Sequence, residues 1–413
     1  MKKIIFTLAH LLIFTSLIAQ QNAIWSLPPN YIKFTGPGGN PSTPIPLPKP
    51  TVDPFSVPIT PNTDPYDGYD GQISNFNHNA MQDANGDLLF FVVDGFVYDY
   101  DGYFIGEMTK NSNLGYRLQG YVETSIIPVP GSCTRYYIIG TRFGNIWSQG
   151  GHLTNIVEYA IVDMSVKSFE TGSQGALISL NPLNLPPPYD QSAFDANVFD
   201  LSESIPQPPH FNVGSEPQVK ISMAMSELRS DNTRFLYVMG EQCIARFKVT
   251  SSGITYDNYE FVLLTPNAPF SADRAVRSEM ELIKTPTGYR IACSYPSAPA
   301  YQDIVLLVGE IDNNGDITSY NVIGLPSDNL NNDSPIKGIE FSPNGNYIYI
   351  THVPNNINPL PFKIYEVATN NFIPLTNNPS MQSQVAAFKN SQIELGKDGK
   401  LYLANTTSLA TIG

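Results

Sequence analysis

The sequence predicts an all-β protein assembled from repeated hairpin units, and three observations carry that prediction. One phrase returns six times: a short alternating strand, a polar turn, then a Tyr-rich or branched apolar strand. Its spacing is nearly constant. The composition, 42% hydrophobic and 15% charged with 23 Tyr, 22 Phe, 30 Gly and 35 Pro, suits strands and turns better than helices.

The elements follow in chain order. Met1-Lys2-Lys3, the apolar run Ile4 to Ile18 and Ala19-Gln20-Gln21 have the charged, apolar and small-residue order of a secretory signal, so residues 1–19 are expected to be removed on export. The run is shorter than the about 20 residues of a membrane span, and no second one follows, so no membrane span is expected. No Cys lies near the cleavage site, so lipid tethering is not expected either. Residues 20–74 form a Pro-rich extension. Thr43-Pro44-Ile45-Pro46-Leu47-Pro48-Lys49-Pro50 reads as a stiff spacer, because Pro donates nothing to a sheet ladder and favours extended conformations.

The repeats occupy residues 75–413. Asp83-Ala84-Asn85-Gly86-Asp87 precedes Leu88 to Val92, Gly131 to Thr134 precedes Tyr136 to Ile139, and Ser230 to Thr233 precedes Phe235 to Val238. Thr285 to Gly288 precedes Tyr289 to Ala292, Ser342 to Gly345 precedes Tyr347 to Ile350, and Gly396 to Gly399 precedes Leu401 to Leu403. The markers Gly86, Thr134, Thr233, Gly288, Gly345 and Gly399 are separated by 48, 99, 55, 57 and 54 residues, one gap being double. A hairpin every ~50 residues is the period of four-stranded propeller blades, whose faces neighbouring blades must cover. The expected fold is therefore an all-β β-propeller of antiparallel four-stranded blades, six visible and seven when closed. The doubled gap holds Val157 to Val162, the outer part of the second unit, and an inserted loop at about 181–215. The last blade is incomplete at Gly413, and the Ile32-Lys33-Phe34 region is one candidate for closing the ring.

The phrases Gly338 to Ile350 and Gln392 to Ala404, with Asp83 to Phe91 as a first-blade version, resemble the WD40/YVTN-type propeller repeats of secreted Bacteroidetes proteins. In that family the propeller often precedes PKD-type domains and a type IX secretion sorting domain of the sort carried by gliding and surface proteins. The resemblance implies an extracellular or outer cell-surface location, and it brings no catalytic residue with it.

Charge narrows the partners. The net charge of −14 becomes −16 without Lys2 and Lys3, which repels phosphate backbones, so nucleic acid is not an expected partner. Cys133, Cys243 and Cys293 offer no CxxC metal spacing, at most one disulfide can form, and Cys243 and Cys293 are placed where they could meet across neighbouring blades.

Three constellations carry candidate chemistry. Glu281, Glu340 and Glu394 fall on the first strand of a blade, nearest the channel, where paired carboxylates would serve glycoside hydrolysis or would simply bond to a neighbouring blade. Asp83, Asn85, Asp87 and Asp312, Asn314, Asp316 share the pattern D-x-N-G-D, which suits tight turns and also offers oxygens to surface Ca²⁺. Tyr66, Tyr69, Tyr98, Tyr100 and Tyr103, set among Asp and Gly, are candidate ligand-binding aromatics. His78, His152, His210 and His352 show no zinc spacing, and no nucleophile elbow or phosphate loop is present. The expectation is a secreted, non-catalytic interaction module for a protein or an extracellular glycan, without a cofactor. The alternatives are a polysaccharide-active hydrolase or lyase and a structural spacer of a longer surface protein.

Overall fold

The computed structural model describes residues 23–35, 39–52, 64–111, 116–119, 123–146, 152–168, 171–179, 197–201, 222–239, 243–261, 279–296, 303–326, 336–352, 362–373, 392–396, 398–405 and 408–412. Among them every strand pairing is antiparallel, and no helix is long and apolar enough to cross a membrane.

Each of the six turn phrases joins the first two strands of one sheet. The first sheet runs His78–Gln82, Leu88–Val93, Phe96–Asp99 and Phe104–Glu107. The second runs Thr124–Pro128, Arg135–Ile146, His152–Lys167 and Gln174–Leu177, with Phe199–Asp200 paired to its third strand. The third comprises Met223–Met225, Arg234–Met239, Cys243–Thr250 and Gly253–Phe261, and the fourth Met280–Thr285, Gly288–Pro296, Asp303–Asp312 and Ile317–Pro326. The fifth comprises Ile336–Phe341, Tyr347–His352, Phe362–Glu366 and Asn371–Ile373, and the sixth Gln392–Leu395, Leu401–Asn405 and Ser408–Ile412. The first strands of successive sheets lie side by side around a central channel, as in a β-propeller.

Burial on both faces explains why the second strands read as unbroken apolar runs. Ile291 packs toward the third sheet with Phe235 and Tyr237. Its neighbour Ala292 packs toward the fifth with Ile339 and Ile348. Alternation of period two sends successive side chains to opposite faces, and here both faces are interior. Local chemistry sets the turns. Asp94 and Gly95 (φ 52° and 87°) link Val93 to Phe96 in a two-residue turn of the kind that needs positive φ at both positions.

A further sheet precedes the six, formed by Ile24–Leu27, Asn30–Lys33 and Ile45–Pro46. One side joins the first sheet: Ile24 and Leu47 are buried with Tyr69, Ala80 and Phe91. The other joins the sixth, where Ile32 and Phe34 are buried with Tyr402, and Trp25 lies edge-on to that tyrosine at 5.3 Å. Lys33 pairs with Asp87 at 2.5 Å, and Lys400 donates to Asn40 at 3.1 Å. The N-terminal sheet thus sits between the last sheet and the first. The spacer expected from residues 43–50 is corrected here, because Ile45–Pro46 pairs with Asn30 and Tyr31 as an outer strand. Proline is tolerated at that edge, where no neighbour needs its missing N–H.

Cys293 is buried as a free thiol, so the Cys243–Cys293 pairing is not formed; Cys133 is free and exposed. Of the inserted loop, residues 180–196 and 202–221 lie outside the described residues. The part between them returns to the body of the protein: buried Asn197 accepts from Thr109 N at 3.1 Å and donates to Glu107 O at 2.9 Å.

Candidate functional site at the central channel

On the first strand of each sheet alternate residues face opposite neighbours. Met280, Ile339 and Ile393 pack toward the preceding sheet. The residues between them, Glu281, Glu340 and Glu394, therefore turn toward the following one. Two further glutamates join them. Glu123 and Glu279 stand one residue ahead of the strands Thr124–Pro128 and Met280–Thr285, on the same side as Glu281.

Three of these five carboxyls bond across a sheet boundary. Glu340 accepts from Leu395 N of the sixth sheet at 2.9 Å and from its own neighbour Phe341 N at 2.9 Å. Glu279 accepts from Ile339 N of the fifth sheet, and Glu123 from Met223 N of the third. The first sheet makes the same kind of tie with a neutral amide, Asn79 Nδ2 donating to Thr124 O at 2.7 Å. Between the N-terminal and first sheets, Ser26 Oγ bonds to His78 Nδ1 at 2.9 Å. Close approach makes the Glu340 tie possible: a Cβ on Gly338 would lie 2.7 Å from Ile393 N, so only glycine lets these two inner strands come so near.

The carboxyls of Glu281 and Glu394 have no hydrogen-bond partner among the described residues. Glu394 is open to solvent although protein surrounds it densely, whereas the other four are half-buried. Burial and then the Glu394 charge push Glu123 up to about 8. Burial, followed by the same charge, also raises Glu279 and Glu340. Glu281 is raised by burial and then by Glu340 and Glu394, and Glu394 itself by burial. A carboxyl that keeps its proton near neutrality is the form required of a general acid, and a carboxylate that accepts backbone N–H groups is a structural tie. The channel holds both.

The other expected residues fall elsewhere. Tyr69 and Tyr98 are corrected: both are buried against Phe91, Tyr69 edge-on at 5.3 Å and Tyr98 stacked at 5.2 Å, and belong to the core. Tyr103 is half-buried, while Tyr66 and Tyr100 are exposed by 41% and 46%. Tyr66 rests against Phe96 and Phe104 and donates to Glu107 at 3.0 Å.

The two D-x-N-G-D segments form the same turn. Asp83 accepts from the N–H groups of Asn85 and Asp87, both at 2.8 Å, and Asp312 from those of Asn314 at 2.8 Å and Asp316 at 3.0 Å. Against an upward push from burial, these N–H groups hold Asp83 and Asp312 below the ordinary carboxylate range. Asp87 is paired with Lys33 and Asp316 with Arg246, so the oxygens proposed for Ca²⁺ already serve the turn and its neighbours.

Burial lowers His78 to about 4. His352 is buried on the fifth sheet's second strand, His152 begins the second sheet's third strand, and His210 lies outside the described residues. Glu123 and Glu279 are not marked by the repeat pattern because each lies one residue outside its inner strand. The Glu279-Met280-Glu281 alternation was the available signal.

No family model and no curated protein sequence matches the chain. Among solved structures it is similar to the Dos1 propeller, at 10% identity over 81% of this chain and 72% of that one with a TM-score of 0.37. It is also similar to the Cellvibrio cellulosa α-L-arabinanase, at 12% identity over 72% and 89% with a TM-score of 0.33. A DUF4221 family member from Bacteroides vulgatus gives 11% identity over 82% and 86% with a TM-score of 0.35.

Proposed function

We propose that this chain is an exported, non-catalytic interaction module of the outer cell surface, in which a rigid ring of sheets presents loops to a protein or an extracellular glycan. The supporting observation is the use of the channel carboxyls. Glu123, Glu279 and Glu340 are spent on backbone N–H groups of the next sheet, so most of the acidic wall supports the ring and leaves recognition to loops and exposed aromatics such as Tyr66 and Tyr100. Export is supported by the charged, apolar and small-residue order of residues 1–21, and a type IX route is what the resemblance of the repeats implies.

A second reading, a polysaccharide-active hydrolase, draws on Glu281 and Glu394, whose carboxyls are raised and make no hydrogen bond among the described residues. Glycan-array binding and polysaccharide pull-down, run beside a reducing-sugar assay on whatever binds, separate the two. Binding without sugar release, unchanged in Glu281→Gln and Glu394→Gln, is the expected result. Release abolished by either substitution would replace the binding module with the enzyme.

A further inference from the structure

The ties around the channel have a consequence separate from ligand recognition. Glu279 accepts from Ile339 N beside Glu340, and Glu340 accepts from Leu395 N beside Glu394, so these ties gather carboxyls of the fourth, fifth and sixth sheets into one cluster; after burial, the Glu394 charge contributes to raising Glu123, Glu279, Glu281 and Glu340. We infer that the five channel carboxyls act as one proton-linked set: fixed on successive inner strands and turned into the same channel, they hold the ring tighter in mildly acidic than in mildly alkaline solution.

Among the described residues, the groups packed around the set are as follows. The N-terminal strand Ile24–Leu27 and the third sheet's Met223–Met225 carry no titratable side chain, nor does Thr124–Pro128 beyond Glu123. The first sheet contributes His78, with Asp94 beside it. The fifth contributes Lys337 and, on its second strand, His352. Lys284, at the turn end of the fourth sheet's first strand, is paired with Glu227 at 2.7 Å. Among the described residues, the strongest influences on the five carboxyls, after burial, are thus one another and the N–H groups they accept.

The direction follows from linkage. An ordinary glutamate titrates at 4.5, whereas Glu123 holds its proton to about 8. Between those values the folded ring binds protons that the unfolded chain has released. The stability this represents is full below the lower value and is lost as pH rises through the upper one. His78 works in the opposite sense, but only between about 4 and its ordinary 6.5. The buried Cys293 thiol adds a loss only above the ordinary 9.0. From about pH 6.5 to 8.5 the channel set acts without either.

Two measurements on the full chain test this. Unfolding in weakly buffered denaturant near pH 7.5 should release about one proton or more per molecule; no release, or uptake, would overturn the inference. Thermal unfolding from about pH 6.5 to 8.5 should show a falling Tm. That fall should be roughly halved or better in Glu394→Gln, which removes the shared charge, with the variant above the parent at the alkaline end. Glu366→Gln, on an outward-facing turn contact with Thr369, should track the parent. Equal slopes for Glu394→Gln and the parent would also overturn the inference. The proton count needs no variant and stands even if Glu394→Gln fails to fold.

Discussion

The hairpin end of the ring and the wall of its channel belong to the same sheets, yet they satisfy their polar groups in opposite ways. At the hairpin end, cations and hydroxyls reach from one sheet to the turn of the next. Arg246, also paired with Asp257 of its own sheet at 2.6 Å, reaches Asp316 of the fourth at 2.7 Å, Arg229 donates to Asn313 O at 2.6 Å, and Arg290 donates to Gly345 O at 2.7 Å. Tyr137 donates to Thr250 O at 2.8 Å and Tyr237 to Gly315 O at 2.9 Å. The channel wall uses carboxyls and an amide on backbone N–H and C=O groups, and leaves like charges facing one another. Opposite charges meeting at turns can be made without strain; like charges gathered in a channel persist only where they keep protons or bind something. The first region is built for cohesion, and the second combines cohesion with a reserve of acid groups.

The comparison meets its hardest test where both regions depend on the N-terminal sheet. Phe34, 1% exposed and edge-on to Trp25 at 4.8 Å and Tyr402 at 5.6 Å, joins that sheet to the sixth. Phe34→Ala should cost about 3–5 kcal/mol in denaturant unfolding. A loss below about 1 kcal/mol would mean that the ring does not rely on this seam.

At the hairpin end, Gly315 adopts φ +91°, and a Cβ there would lie 2.5 Å from the Phe235 ring. Gly315→Val should cost about 3 kcal/mol by adding backbone strain to overpacking. A neutral result would show that the turn does not seat on the third sheet as described.

In the channel, Glu340→Ala should cost about 1–3 kcal/mol by orphaning Leu395 N, while Glu340→Gln, which still offers a carbonyl oxygen, should cost less than half of that. Equal losses for the two would remove the tie and leave only a charge effect.

Arg246→Met should cost the least, about 1–2 kcal/mol, because its ion pairs are partly exposed and its guanidinium also covers Phe235 at 4.9 Å. That loss should shrink in high salt, whereas the Glu340→Ala loss should not.

The two regions also differ in how much of them was legible in the sequence. All six hairpins were, because Asn and Gly at positive φ are a local requirement: Gly86, Gly131, Asn232, Gly288, Gly345 and Gly399 each stand in the turn their phrase implies. The inner-strand glutamates were half legible. Alternation marked Glu281, Glu340 and Glu394, but which carboxyl accepts from which N–H depends on a neighbouring sheet some 55 to 60 residues away. Tyr69 and Tyr98 looked like turn aromatics among Asp and Gly. Their burial is decided by Ile24 and Leu47, which no local pattern links to them. The same distance hid the strand in the Pro-rich segment, since Ile45–Pro46 has a partner only once Asn30–Lys33 is in place.

The central claim, that hairpin end and channel wall respond to pH in opposite directions, is most directly tested by intrinsic-rate-corrected amide hydrogen exchange at several pH values. Asp83 and Asp312 sit below their ordinary range and the channel glutamates above theirs. Protection of Ile339 and Leu395 should therefore fall from about pH 6 to 8, while the turns at Asp83–Asp87 and Asp312–Asp316 hold and loosen only below about pH 4. Inner strands unchanged across the alkaline range, or turns that open there first, would contradict the account.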